Sequence, residues 1–211
     1  MTHDGWILES SPFHAGEQEM QNRAGKRDDM ERFGRRVIRP FLPKQHRDFY
    51  GQLPFVVVGA VDEDERPWAS ILFGEPGFLT SPSEHTLCLN ARPHPDDPVA
   101  GGLRDHQPLG MLGIELPSRR RNRVNGRVIN ASGGTIEIAV DQSFGNCPQY
   151  IQSREHEFVL RDADTQQPAQ YAKGLSETDR DLIAKADLSH LSTRGYSFQA
   201  SLLTELLRPG A

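Results

Sequence analysis

The stretch PFVVVGAV at residues 54–61 constrains the fold more than any other part of the chain. Three consecutive valines are stiff at χ1 and pack well on a pleated surface, so the run favours a strand over a helix turn. Its near-continuous apolar character predicts a strand buried on both faces. The charged string Asp62-Glu63-Asp64-Glu65-Arg66 then reads as a turn, and PWASILF at 67–73 as the returning strand. Further strands are expected at 85–90, 108–116, 122–130 and 135–140. Turns are expected at 74–77, 81–83 and 132–134, and residues 92–102 give a Pro/Asp/Gly-rich connection with one helical turn. Six short strands joined by tight turns predict a small β-barrel, and with helices at either end the class is α+β.

The flanks differ in pattern. Residues 1–16 form a polar segment, and residues 17–53 read as helical, with a sparse apolar stripe of Met20, Ala24, Met30, Phe33, Val37, Ile38 and Phe41. Pro40 and Pro43 break that pattern, and Pro43 can open a second short helix carrying His46 and Phe49. The simplest expectation is a helical region packed on the barrel. The barrel domain itself is expected over 54–154, with 141–154 as a compact loop, and a charged tail over 155–211. Within the tail, Ser176 followed three residues on by Asp179 marks a helix start, and the helix is expected to reach about Ala186.

Several function classes are disfavoured. The net charge is −5, which argues against a general nucleic-acid or anionic-membrane binder. No apolar run approaches the roughly 20 residues of a membrane span, and the N-terminus lacks the order of a secretory signal. Two cysteines, Cys88 and Cys147, support neither a disulfide framework nor a cysteine zinc site, so a cytoplasmic setting is expected. The histidines show no metal-binding spacing, and no dinucleotide, P-loop or nucleophile-elbow motif is present.

Against the acidic background, residues 119–127 carry five arginines. Guanidinium forks match phosphate geometry. On a strand, alternation would set Arg119, Arg121 and Arg123 on one face and Arg120 and Asn122 on the other. Arg127 would join the first face if Gly126 introduces no bulge. A solvated row paired with acids is the competing interpretation. In SFGNCPQY, Phe144 and Tyr150 are able to stack on a planar ring, or the segment is a turn that buries Cys147.

Six segments in order carry a family resemblance: FHAGE (13–17), Q-x-R-A-G (21–25), FLPKQHRDFYGQLPFVVVGAVD (41–62), RPWASILFGEPGFL (66–79), GIELPSRRRNRVNGRV (113–128) and SFGNCPQYIQ (143–152). The series resembles the pyridoxamine 5'-phosphate oxidase-like, FMN-binding split-barrel family, and within it a bacterial flavin-nucleotide-binding branch. The resemblance implies a six-stranded split β-barrel, a homodimer with flavin mononucleotide (FMN) at the subunit interface, and an FMN-dependent oxidoreductase acting on a small molecule. The flavin would supply hydride chemistry while the protein supplies position and charge. By resemblance, Ser70 stands where the oxidases hold the FMN phosphate from the second strand, and Asn90 and Arg92 stand at their phosphate loop. Arg119, Arg121 and Arg123 would neutralise phosphate or flavin charge, and Trp68 and Tyr150 would neighbour the ring. A non-catalytic flavin or haem carrier or sensor is the alternative function. After residue 186 the chain leaves the pattern of longer members, so the tail is expected to be truncated or diverged.

Overall fold

The computed structural model describes residues 5–147, 151–157, 172 and 174–185. They belong to two compact units, Met1–Pro148 and Gln149–Ala211. The first unit opens with α1 (Ala15–Arg23), α2 (Arg27–Val37) and α3 (Lys44–Gly51). The strands follow: β1 (Phe55–Val61), β2 (Pro67–Phe73), β3 (Leu79–Ser83), β4 (Thr86–Leu89), β5 (Pro108–Glu115), β6 (Arg120–Asn130) and β7 (Ile136–Gly145). A 3₁₀ turn at Pro98–Gly102 links β4 to β5.

The strands form one antiparallel sheet in the order β2-β1-β5-β6-β7-β4-β3. The α+β class therefore holds, with two corrections. There are seven strands among the described residues, where the sequence pattern gave six, and the sheet does not close, because β2 and β3 each pair on one side only. The added strand is β3, whose Ser81-Pro82-Ser83 reads as turn chemistry. It is an edge strand with a register shift between Thr80 and Ser83, the kind of place where a proline without an N–H fits.

Two other boundaries move. β6 starts at Arg120, with Leu116 to Arg119 forming the turn from β5, and Arg119 takes φ 58°. β7 continues to Gly145, so residues 141–145 extend the β6–β7 hairpin and are not loop. The β1–β2 turn is tied by Asp62: Oδ1 accepts from the N–H groups of Asp64 and Arg66, both at 2.9 Å, and Oδ2 from Arg66 Nε and Trp68 Nε1, both at 2.8 Å.

One face of the sheet holds the core, to which all seven strands contribute. Val56, Val58, Leu72, Leu79, Leu87, Leu89, Met111, Val124, Val128, Ile136 and Ile138 join Leu42, Phe49, Tyr50 and Leu53 from α3 and its flanks, with Val99 from the 3₁₀ turn. β1 is thus fully buried on this face and only half-buried on the other. α3 packs through His46, Phe49 and Tyr50, spaced i, i+3, i+4. α1 buries no residue, and Met20 and Phe33 of the predicted packing stripe are exposed. α1 and α2 instead belong with the N-terminal segment, where Glu31 is bound by Arg27, Arg35 and Ser11.

The second unit contains α4 (Glu177–Lys185). Its start bears the expected cap: Asp179 N–H donates to Ser176 Oγ at 3.2 Å, and Ser176 N–H to Asp179 Oδ2 at 2.8 Å. The expectations for residues 188–211 lie outside the described residues. No helix among the described residues is long and apolar enough to cross a membrane.

Candidate functional site

The outer face of the sheet, opposite the core, has an ordered composition. Across it runs the row Ile71–Val57–Leu112–Arg123–Phe144, each residue opposite the next on β2, β1, β5, β6 and β7. Beside it, Phe73 pairs with Phe55 at 6.3 Å between ring centroids, and on β5 and β6 Ile114 pairs with Arg121. The face is therefore apolar on β2, β1 and β5 and cationic on β6. Three strand spacings separate β2 from β6, about 14 Å. Ile71 and Phe73 are 48% and 65% exposed, so the apolar half lies open on β2, whereas Val57 and Leu112 are half-buried and Ile114 is buried.

Alternation along β6 explains the cationic half. Asn122, Val124, Gly126 and Val128 point to the core, and Arg121, Arg123, Asn125 and Arg127 point outward. Arg127 does share this face: the extra residue at this place is on β7, since Asn125 pairs with Gln142 and Gly126 with Val140. Arg127 also meets Asp141 at 3.3 Å. Arg119 is corrected out of the row, because it sits in the turn and not on the strand. Arg121 donates from Nη2 to the Cys147 carbonyl at 2.7 Å. Burial, and then the charge of Arg121, lower the pKa of Arg123, with Tyr50 acting in the opposite sense. Two guanidinium groups alternate on one strand face at an electrostatic cost that an anion would relieve.

The remaining sequence-derived candidates lie elsewhere. Trp68 and Ser70 are on β2 but point to the core side, with Trp68 packed against the core and bonded to Asp62, and Ser70 Oγ donating to Asp97 Oδ2. Asn90 accepts from Thr135 Oγ1 at 2.7 Å, and Arg92 donates to the Ala131 carbonyl. Those two residues sit by the β6–β7 turn, at the far end of β6 from Arg121. Tyr150 lies outside the described residues. The structure thus brings together Arg121 and Arg123, and separates Trp68 with Ser70, and Asn90 with Arg92, from them.

Sequence pattern missed a second polar cluster, on the core side of the β6 start. His46 is 7% exposed and Asn122 6% exposed, and neither His46 Nδ1 nor Asn122 Nδ2 has a hydrogen-bond partner. The available signal was a histidine three and four residues before Phe49 and Tyr50, on the same helix face.

No family model matches the chain, and no curated protein matches it. Solved structures similar to it include HupZ of Group A Streptococcus, at 13% identity over 49% of this chain and 93% of that one, with a TM-score of 0.39. An F420 reductase is similar at 10% identity over 50% of this chain and 98% of that chain, with a TM-score of 0.35. The FAD and heme binding protein from Mycobacterium smegmatis is similar at 13% identity over 78% of this chain and 96% of that one, with a TM-score of 0.34.

Proposed function

We propose that this chain is an FMN-binding oxidoreductase of the pyridoxamine 5'-phosphate oxidase-like type, built on a split-barrel version of the sheet and acting as a homodimer on a small-molecule substrate. The observation that carries this is the outer sheet face, where apolar surface that is open on β2 and half-buried at Val57 and Leu112 leads to Arg123 and Arg121 on β6. That sequence of surfaces suits a ligand with a flat apolar ring at one end and a phosphate at the other. The ordered motif series at 13–152 supports the same reading.

The residues fit the group. Arg121 and Arg123 offer planar donor forks to the phosphate, and the mutual repulsion of the two cations falls when a dianion sits between them. Val57 and Leu112 offer apolar contact to the ring, and Ile71 and Phe73 offer surface to the ring or to a second copy of the chain. Bound flavin would supply the hydride and electron chemistry, while these side chains hold the phosphate, orient the ring and exclude water.

The test is spectroscopic. Purified protein is expected to be yellow, or to take up added FMN with a shift of the flavin absorption bands. Arg123→Gln is expected to weaken FMN by about tenfold or more and to leave riboflavin unchanged, because only the phosphate contact is lost. A colourless protein that ignores FMN overturns the proposal. If the flavin binds but is not reduced by any nicotinamide nucleotide or substrate, the chain is a carrier or sensor.

A further inference from the structure

We propose that Arg39, Arg120, His46 and Asn122 form a binding site for a small oxyanion, a phosphate group or its chemical equivalent, where α3 meets the start of β6. The placement follows from main-chain and side-chain contacts. Tyr50 Oη donates to the Asn122 carbonyl at 2.9 Å, and the Arg120 guanidinium lies 5.1 Å from the centre of the Phe49 ring. His46 is one turn before them on the same face of α3. Arg39 exchanges both main-chain hydrogen bonds with Ser143, at 3.0 and 2.7 Å, and Ser143 lies two pairs along β7 from Gly145, the partner of Asn122.

Three features of this corner point to an anion. The first is uncompensated charge. Arg23, Arg27, Arg32, Arg35, Arg66, Arg104 and Arg127 each meet a carboxylate, as expected in an acidic chain. Neither Arg39 nor Arg120 has a carboxylate in ion-pair reach among the described residues, a lack shared with Arg36, Arg47, Arg92, Arg119 and Arg121, so the charge counts here only together with the buried donors beside it. Glu115, the strand partner of Arg120, is taken by Gln52 and Ser118. The second is unused donor capacity. Asn122 Nδ2 can only donate and His46 Nδ1 can carry the ring proton, yet both are buried without a partner. A buried donor left unpaired costs about 1–3 kcal/mol, so such groups ordinarily mark a missing partner. The third is access, since Arg39 and Arg120 are only half-buried and open the corner to solvent. The low pKa of His46, about 4, agrees: burial first, then Arg39 and Arg120, disfavour its charged form while no anion is present.

This site lies on the core face of β6, opposite the Arg121–Arg123 face, and rests on no part of the flavin proposal. The experiment is an NMR titration of the full chain with inorganic phosphate, read at the Asn122 side-chain amide and the His46 ring. Saturable shifts at both groups are expected with phosphate and with sulfate, and not with chloride at equal ionic strength. Arg120→Met keeps an unbranched stem near Phe49, and Arg39→Gln keeps a polar head. Each is expected to weaken phosphate by about tenfold, the value of one charge-assisted hydrogen bond. Should either variant fail to fold, the comparison of phosphate with chloride on the unaltered chain decides. No saturable shift, equal shifts from chloride, or unchanged affinity in folded variants overturns the proposal. FMN and riboflavin arms identify the source. FMN alone reproducing the phosphate shifts assigns the corner to a nucleotide phosphate, and phosphate acting where FMN does not assigns it to a free oxyanion. Flavin absorbance is read separately, so a failed flavin proposal leaves this one standing.

Discussion

At the scale of single residues, His46 makes stability depend on pH. Its pKa is pushed down from 6.5 to about 4, first by burial and then by Arg39 and Arg120. The unfolded chain therefore binds a proton that the folded chain refuses between those values. Stability is complete above about pH 6.5 and falls as pH drops toward 4, by at most about 3 kcal/mol. Denaturant unfolding in phosphate-free buffer is expected to show this loss, and His46→Gln is expected to flatten it. An unchanged slope in the variant would assign the acid sensitivity to other groups. Asp62 also has a lowered pKa, but there it is the charged form that the fold favours, and its contribution too is lost only as pH falls. Burial works against its charge, but hydrogen bonds from Trp68 and Arg66 outweigh it and hold the carboxyl at about 2, so the β1–β2 turn keeps its anchor through the whole range in which His46 titrates.

At the scale of elements, Gly126 shows how closely β6 and β7 approach at the irregular pairing. A Cβ added there would lie 2.2 Å from the Ala139 carbonyl oxygen. Gly126→Ala is expected to force the two strands apart and lower the melting temperature by well over the several degrees that correspond to about 1 kcal/mol, as calorimetry would show. The strands that sequence located well are those where composition alone decides. The valine run of β1 and the bounds of β2 were readable because apolar β-branched residues are bracketed by charge and glycine. β3 was hidden because Pro82 and two serines carry turn chemistry, and only the edge position of the strand makes them acceptable. The end of β7 was hidden because Asp141, Gln142 and Ser143 are polar. Ser143 is nonetheless fully buried, since its Oγ donates to the Phe41 carbonyl at 2.5 Å and its main chain pairs with Arg39, contacts more than a hundred residues apart. The same limit governs the sites. The arginine row was visible as composition, but the exclusion of Arg119 depends on where the β5–β6 turn ends. The pairing of Arg39 with residues near 120–145 depends on topology, which no local pattern contains.

At the scale of the whole molecule, the apolar half of the outer face predicts self-association. Exposed Ile71 and Phe73 are backed by Phe55, Val57 and Leu112, an apolar surface of the kind that soluble chains ordinarily cover. Sedimentation is expected to report a dimer, and the double variant Ile71→Glu with Phe73→Glu is expected to be monomeric with its core signals intact. A native chain that sediments as a monomer would remove the homodimer from the proposed function. The unclosed sheet has a further consequence. Its terminal strands β2 and β3 keep unpaired main-chain groups along their outer edges among the described residues. On β3 the proline and the register shift blunt that edge, whereas β2 is seven regular residues with large apolar side chains. Under heat or crowding, β2 is therefore where one molecule can template the next by strand addition. Fibre growth in this protein would begin at the outer edge of the β1–β2 hairpin.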